Sequence, residues 1–194
     1  LMRGLSRRSF LTASAAFGAL AAAGKAGLGT RAHPLEKIDR ENIKITDVKV
    51  TLLSYELPRE KVWRTGTFVV WKTDAILVQV FTDQGIVGLG EPSPYGGPEV
   101  VKQFIDEQVR PRLIGKNPFD VERLTPAWGD SAFRYQVAWA GVDAALWDII
   151  GKAKGMSVYR LLATDNPPDP HLRMYASGGV EYAWYQRPED LIDE

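Results

Sequence analysis

"AGVDAALWDIIGKAKG", Ala140 to Gly155, sets two aspartates five residues apart in an otherwise apolar run. Val142, Ala145, Leu146, Ile149, Ile150 and Ala153 recur at helical spacing and form one buried stripe. The spacing predicts a long helix from about Arg134 to Lys154, stopped at Gly155 with lysines in its last turn. Five residues are about 500° of helix, so Asp143 and Asp148 point roughly 140° apart and cannot chelate one ion. Asp143 and Trp147 flank the stripe, whereas Asp148 is expected on its far side, in an ordinary helix pair with Lys152.

Upstream, "IKITDVKVTLLSYEL", Ile43 to Leu57, is β-branched and alternating, but its apolar phase slips twice. The first slip leads to Val48, Val50 and Leu52, the second to Leu53, Tyr55 and Leu57, which predicts a long strand with bulges or bends. "AILVQVFTDQGIVGLGE", Ala75 to Glu91, reads as two strands around a Gly-containing turn at Thr82–Gly85. Gly88 and Gly90 share one face of the second strand, where something must approach the backbone closely. A three-stranded antiparallel meander results.

Between the meander and the long helix, Pro98 opens a helix with a stripe of Val101, Phe104, Ile105 and Val109. Asn117-Pro118 marks a turn, and Asp120 is expected to cap a short helix through Leu124. Residues 163–171, "ATDNPPDPH", form a proline-rich linker, followed by a short strand from Leu172 and a helix opening at "RPEDLIDE".

The chain has 194 residues, no cysteine and two histidines, His33 and His171. Disulfides and thiolate metal sites are therefore excluded, and a His-based zinc site is disfavoured. Overall charge is zero, but the first 32 residues carry five basic side chains and no acid; the remainder has 19 basic against 24 acidic residues. A mildly acidic body without a clustered basic face argues against nucleic acid as partner.

"SRRSFLTASAAFGALAAAGKAGLG" places Arg7 and Arg8 before an aromatic and a leucine and resembles a twin-arginine export signal, assigned to residues 1–32. The Ala/Gly-rich stretch from Leu11 to Ala23 falls short of the ~20 residues of a membrane span and has the proportions of a signal h-region. The resemblance implies the twin-arginine export machinery as a partner and a periplasmic or exported destination.

"AWAGVDAALWDIIGKAKGMSVYRLL", Ala138 to Leu162, resembles the signature helix of the mandelate racemase/muconate-lactonizing enzyme family of the enolase superfamily. The meander segments "KITDVKV" and "DAILVQVFTDQGIVGLGE" and the barrel-like opening "RMYASGG" are similar too, and Ala163 departs where the family has glycine. This resemblance implies an α+β capping domain over residues 43–162 and the start of a (β/α)7β barrel in residues 172–194. It also implies Mg²⁺-assisted abstraction of the proton α to a carboxylate, a small anionic carboxylate as substrate, and a homo-oligomeric enzyme. Such a barrel takes on the order of 250 residues, and only 23 follow from Leu172. The catalytic and metal-binding residues are accordingly expected outside this stretch, which reads as the front part of a lyase or isomerase. The alternative is a non-catalytic binding or interaction module that ends at Glu194.

Capping domains of this family supply loops over the barrel mouth. "REKVWRTGTFVVWK", Arg59 to Lys72, carries a net +3 with aromatics, which suits an anionic substrate and nominates Trp63, Arg64 and Thr65. Its plainer reading is a solvated strand connection with Trp63 and Trp71 packed on the sheet. "EPSPYGGPE", Glu91 to Glu99, nominates Tyr95, or else is only a turn into the next helix. Tyr175 and Ser177 would sit near the C-terminal end of the first barrel strand.

Overall fold

The computed structural model describes residues 34–64, 69–126, 133–163, 171 and 173–175. Its strands are β1 (Ile45–Glu56), β2 (Trp63–Arg64), β3 (Val69–Val70), β4 (Lys72–Thr82) and β5 (Val87–Gly90). The helices are α1 (Pro98–Phe104), α2 (Arg110–Leu113), α3 (Val121–Leu124), α4 (Phe133–Lys154) and α5 (Val158–Leu161). β1, β4 and β5 form an antiparallel sheet in that order, and β2 and β3 a separate two-stranded ribbon.

The hairpin lies where the turn residues place it. Gly85 takes φ 75° and donates its N–H to the Thr82 carbonyl at 3.2 Å, and the Thr82 hydroxyl donates to the Ile86 carbonyl at 2.8 Å. The expected bends in β1 are reduced to one. Register shifts only between Ile45 and Asp47, and pairing then runs unbroken from Asp47↔Phe81 to Glu56↔Lys72. The second phase slip is therefore a change of face. Val48, Val50, Ile76, Val78 and Val80 are buried under the helices, whereas Leu53 and Tyr55 lie on the opposite, open side. An uncovered strand face tolerates apolar residues, and composition alone cannot separate that from a bulge.

Helix α4 lies directly on β5. A Cβ at Gly88 would stand 2.1 Å from the Ala145 carbonyl oxygen, and one at Gly90 would stand 1.9 Å from that of Gly141. The close approach read from these glycines is thus a helix backbone, admitted by small residues on both sides. Val142, Ala145, Leu146, Ile149 and Ile150 are fully buried, as the stripe requires. The helix ends in a Schellman motif, with Met156 N–H on the Gly151 carbonyl, Gly155 N–H on the Lys152 carbonyl, and Gly155 at φ 60°.

Between α1 and α2 the backbone widens into a π turn, Ile105–Val109. Pro111 explains it, because its ring would strike the carbonyl four residues back and it has no N–H to donate. Val101, Ile105, Val109 and Leu113 still form one buried row.

Asp120 departs from its expected role. It stands before α3 without making a side-chain cap, and Asn117 instead accepts from Phe119 N–H at 2.9 Å. Asp120 pairs with Arg40 at 2.7 Å and with Arg123. Burial pushes its carboxyl upward, but the hydrogen bonds from the two arginines outweigh that and hold it below the usual range. An Asp with two guanidinium partners gains more from them than from one backbone N–H.

The strand expected from Leu172 is not formed over Arg173–Tyr175, which have no regular structure. The rest of that stretch lies outside the described residues. The linker residues 164–170 and the export signal lie outside the described residues. Among the described residues no helix is long and apolar enough to cross a membrane.

Candidate functional site

Among the described residues, neither aspartate of α4 lies in a group of carboxylates or imidazoles that could hold a metal ion. Asp143 is half-buried and accepts a hydrogen bond from the Thr125 hydroxyl at 2.9 Å. Burial raises its carboxyl above the ordinary value, and the Thr125 bond only partly opposes this. Asp148 pairs with Lys152 at 2.7 Å, as expected, but it is no mere solvent-side residue. It also accepts from the Leu89 N–H at 2.8 Å, and Lys152 donates to the Val87 carbonyl at 2.7 Å. Among the described residues no group of three or more His, Asp or Glu could hold a metal ion. The Mg²⁺ implied by the resemblance has no ligand set among these residues.

The concave feature lies beyond the helical layer. β1 and β4 run on past the last covered rung, and the β2–β3 ribbon folds back beside them, with Leu57 N–H on the Trp71 carbonyl at 2.8 Å. A short 3-10 turn, Pro94–Gly96, closes the other side; Ser93 Oγ accepts from Tyr95 N–H, and Gly97 at φ 89° redirects the chain into α1. Together they enclose a cleft of about 720 Å³. Its aromatic walls are Tyr55, Trp63, Trp71 and Tyr95, and its charged groups are Lys61, Lys72 and Asp74. Aromatic walls with few charged groups are the usual make-up of a small-molecule site.

The charged groups are unequal. Asp74 accepts from the Ser54 hydroxyl at 2.6 Å and pairs with Lys72 at 2.9 Å. These two bonds, Ser54 first, hold the Asp74 carboxyl below its ordinary value, and the Asp74 bond raises Lys72. The Lys72 ammonium also lies 5.5 Å from the Trp71 ring centroid. Lys61 has no carboxylate partner among the described residues.

The two nominated lid stretches thus meet in one place. Trp63 and Tyr95 both line the cleft, Tyr95 with 78% of its surface exposed. The Arg64 backbone pairs with Val69 in the ribbon beside it. Thr65, Ser177, Arg7 and Arg8 lie outside the described residues. Tyr175 is 88% exposed and does not line the cleft. The sequence points to Lys61 and Lys72 only through the net charge of their stretch, and it does not nominate Tyr55, Trp71 or the Ser54–Asp74 bond. Tyr55 carried a signal, as a large aromatic out of phase with the core residues of its own strand.

Comparison with known proteins agrees with this architecture. The domain described as "Mandelate racemase / muconate lactonizing enzyme, N-terminal domain" matches residues 48–163. A D-galactonate dehydratase of Verminephrobacter eiseniae is 35% identical over 123 residues, 61% of this chain and 30% of that protein. A cis-3-hydroxy-L-proline dehydratase of Roseibium aggregatum is 32% identical over 127 residues, 62% of this chain and 34% of that one. Among solved structures, a member of the enolase superfamily from Polaromonas sp. JS666 has a TM-score of 0.53 at 34% identity, covering 61% of this chain and 32% of its own. The muconate lactonizing enzyme of Pseudomonas fluorescens, solved with muconolactone, has a TM-score of 0.54 at 25% identity, covering 62% and 34%. The matched part is about a third of the length of these relatives. Their names are those of lyases and isomerases. With the antiparallel sheet, the glycine-seated α4 and the match over residues 48–163 in agreement, the chain belongs to the mandelate racemase/muconate lactonizing enzyme family, whose N-terminal domain it carries.

Proposed function

We propose that this domain caps the barrel of an exported lyase or isomerase that abstracts the proton α to the carboxylate of a hydroxy or sugar acid. Dehydration is the favoured outcome, in keeping with the dehydratase names of several relatives. The observation that carries the reading is the cleft: two stretches separated by the whole of β4 and β5 converge on one aromatic, cation-bearing concavity.

The chemistry divides between the two parts of such an enzyme. Bound Mg²⁺ would stabilise the charge of the enediolate, and its ligands would come from barrel strands. The capping residues bind and orient. Trp63, Trp71 and Tyr95 present flat apolar faces that exclude water from the bound acid, and Lys61 and Lys72 offer N–H donors to its oxygens. The Asp74 bond holds Lys72 in place before substrate arrives, which lowers the ordering cost of binding.

The test is α-proton exchange in D₂O, followed by NMR with the intact enzyme over a panel of hydroxy and sugar acids, with and without a chelator. Metal-dependent exchange of at least one acid is expected. A panel without any exchange removes the enzymatic reading.

A further inference from the structure

The chain ahead of β1 is bound tightly to the domain. Residues 34–44 precede the part matched by the family domain, residues 48–163. Leu35, in the turn Pro34–Lys37, nevertheless sits in the core at 8% exposure, and Ile43 at 1%. Between them Arg40 pairs with Asp120 at 2.7 Å, and the Glu41 carboxylate takes the Lys154 ammonium at 2.7 Å. The Glu41 carbonyl accepts from the Asn117 amide at 2.7 Å, and the Asn42 carbonyl from the Gln84 amide at 2.8 Å. The Lys44 N–H donates to the Asp83 carboxylate at 2.9 Å. Partners from the hairpin, the Asn117 turn and the end of α4 thus hold one short segment, and a terminus so tied does not fray.

This clasp limits where an export signal can be removed. A signal peptidase requires small residues just before its cut. Ala23, Ala26 and Ala32 all qualify, with Ala21, Gly24 and Thr30 two places ahead of them. The peptidase must also draw the chain out on both sides of the scissile bond, clear of the folded body. After Ala32 only His33 separates the cut from Pro34, and each residue of chain spans about 3.5 Å. Pro34 also has no N–H for pairing in an extended conformation. A cut after Ala26 leaves residues 27–33, about 25 Å of extended chain. We propose that the signal is removed after Ala23 or Ala26 and not after Ala32. The mature protein then keeps residues 27–33 as a spacer and residues 34–44 as a clasp on the domain. This inference rests on the export part of the proposed function.

The experiment expresses the full-length protein in a bacterium with twin-arginine export. Intact mass and N-terminal sequencing read the first residue of the periplasmic form. Gly24 or Gly27 is expected; any other first residue, or an exported chain with its leader still attached, would overturn the proposal. Ala23→Phe combined with Ala26→Phe should leave the precursor uncut, whereas Ala32→Phe alone should change nothing. Processing of the double variant at Ala32 would overturn it as well. The clasp is read separately, on full-length chains made without a leader that begin, after an initiator methionine, at Gly27 or at Ile43. The shorter chain should melt several degrees lower, since it lacks the buried Leu35 and the bonds of Arg40, Glu41 and Asn42. Equal melting temperatures would remove the shielding on which the choice of cut depends. Retention in the cytoplasm with an intact N-terminus would sink the export reading and the cut together, and a lowered melting temperature would then still assign residues 34–44 to the fold.

Discussion

The carboxylate of Asp148 accepts the backbone N–H of Leu89 at 2.8 Å, while Lys152, one helical turn on, donates to the Val87 carbonyl at 2.7 Å. One i,i+4 pair of α4 thereby satisfies two outward-facing backbone groups of β5, the edge strand of the sheet. An open edge is a template for pairing with another chain, and charged side chains are a common way to close it. The second aspartate of the signature stretch is an edge cover.

Asp148→Ala should therefore lower stability by about 1–2 kcal/mol, the scale of a lost hydrogen bond to a charged group at a partly exposed site. The double change Asp148→Ala, Lys152→Ala should add concentration-dependent association, seen by size-exclusion chromatography with light scattering. An unshifted urea midpoint and an unaltered elution profile would show that the edge needs no cover.

The glycines of β5 allow a graded test. Gly90→Ala and Gly88→Ala place a methyl group 1.9 Å and 2.1 Å from backbone carbonyl oxygens, so the helix must lift from the sheet. Each should cost about 3 kcal/mol or more, at the severe end of overpacking. Gly85→Ala meets no atom within 4 Å and bears only the strain of φ 75°, for which about 1 kcal/mol is expected. Chemical denaturation that ranks the three otherwise would contradict this packing.

Asp143 has a stability signature in pH. Burial raises its folded-state value above the ordinary 3.8, so its neutral form is the favoured one in the fold. The stability tied to that form is complete below the unfolded value and is lost as pH rises through the raised folded value. Near pH 7 the wild type carries the penalty of a buried charge, whereas Asp143→Asn keeps an oxygen for the Thr125 hydroxyl and carries none. Thermal melts should place the Asn variant above the wild type at neutral pH, with the gap closing toward pH 3. A variant less stable at pH 7 would mean that the carboxylate charge is itself required.

Export is a separate expectation, resting on Arg7 and Arg8 alone. Replacing both with lysine should leave the protein in the cytoplasm when the fractions of an expressing bacterium are compared. Undiminished periplasmic accumulation would remove the twin-arginine reading.

The helix α4, the hairpin and the close approach at Gly88 and Gly90 were legible because each is governed by local chemistry. A 3.6-residue stripe, a glycine at positive φ and the lack of a Cβ act within a few residues of chain. The cleft was legible only in part. Trp63 and Tyr95 could be nominated because they sit in charged or turn-rich connections, whereas the out-of-phase position of Tyr55 within a strand reads equally well as a bend. Asp120 misled for a related reason: its place before a helix is a capping position, and nothing nearby announces Arg40, eighty residues away.

What the sequence determined by itself is therefore the local grammar of the domain: three strands, a long helix with one apolar face, two glycines awaiting a neighbour, and a family resemblance. The tertiary structure decided which neighbours those residues meet. It laid the Gly141 and Ala145 backbone on β5, turned Asp148 to the Leu89 N–H, and carried Tyr55, Trp63, Trp71 and Tyr95 from four separate segments to one cleft. Such contacts depend on how far β1 and β4 outrun their helical cover. That length is set by the packing of the whole sheet, and no short window of residues contains it.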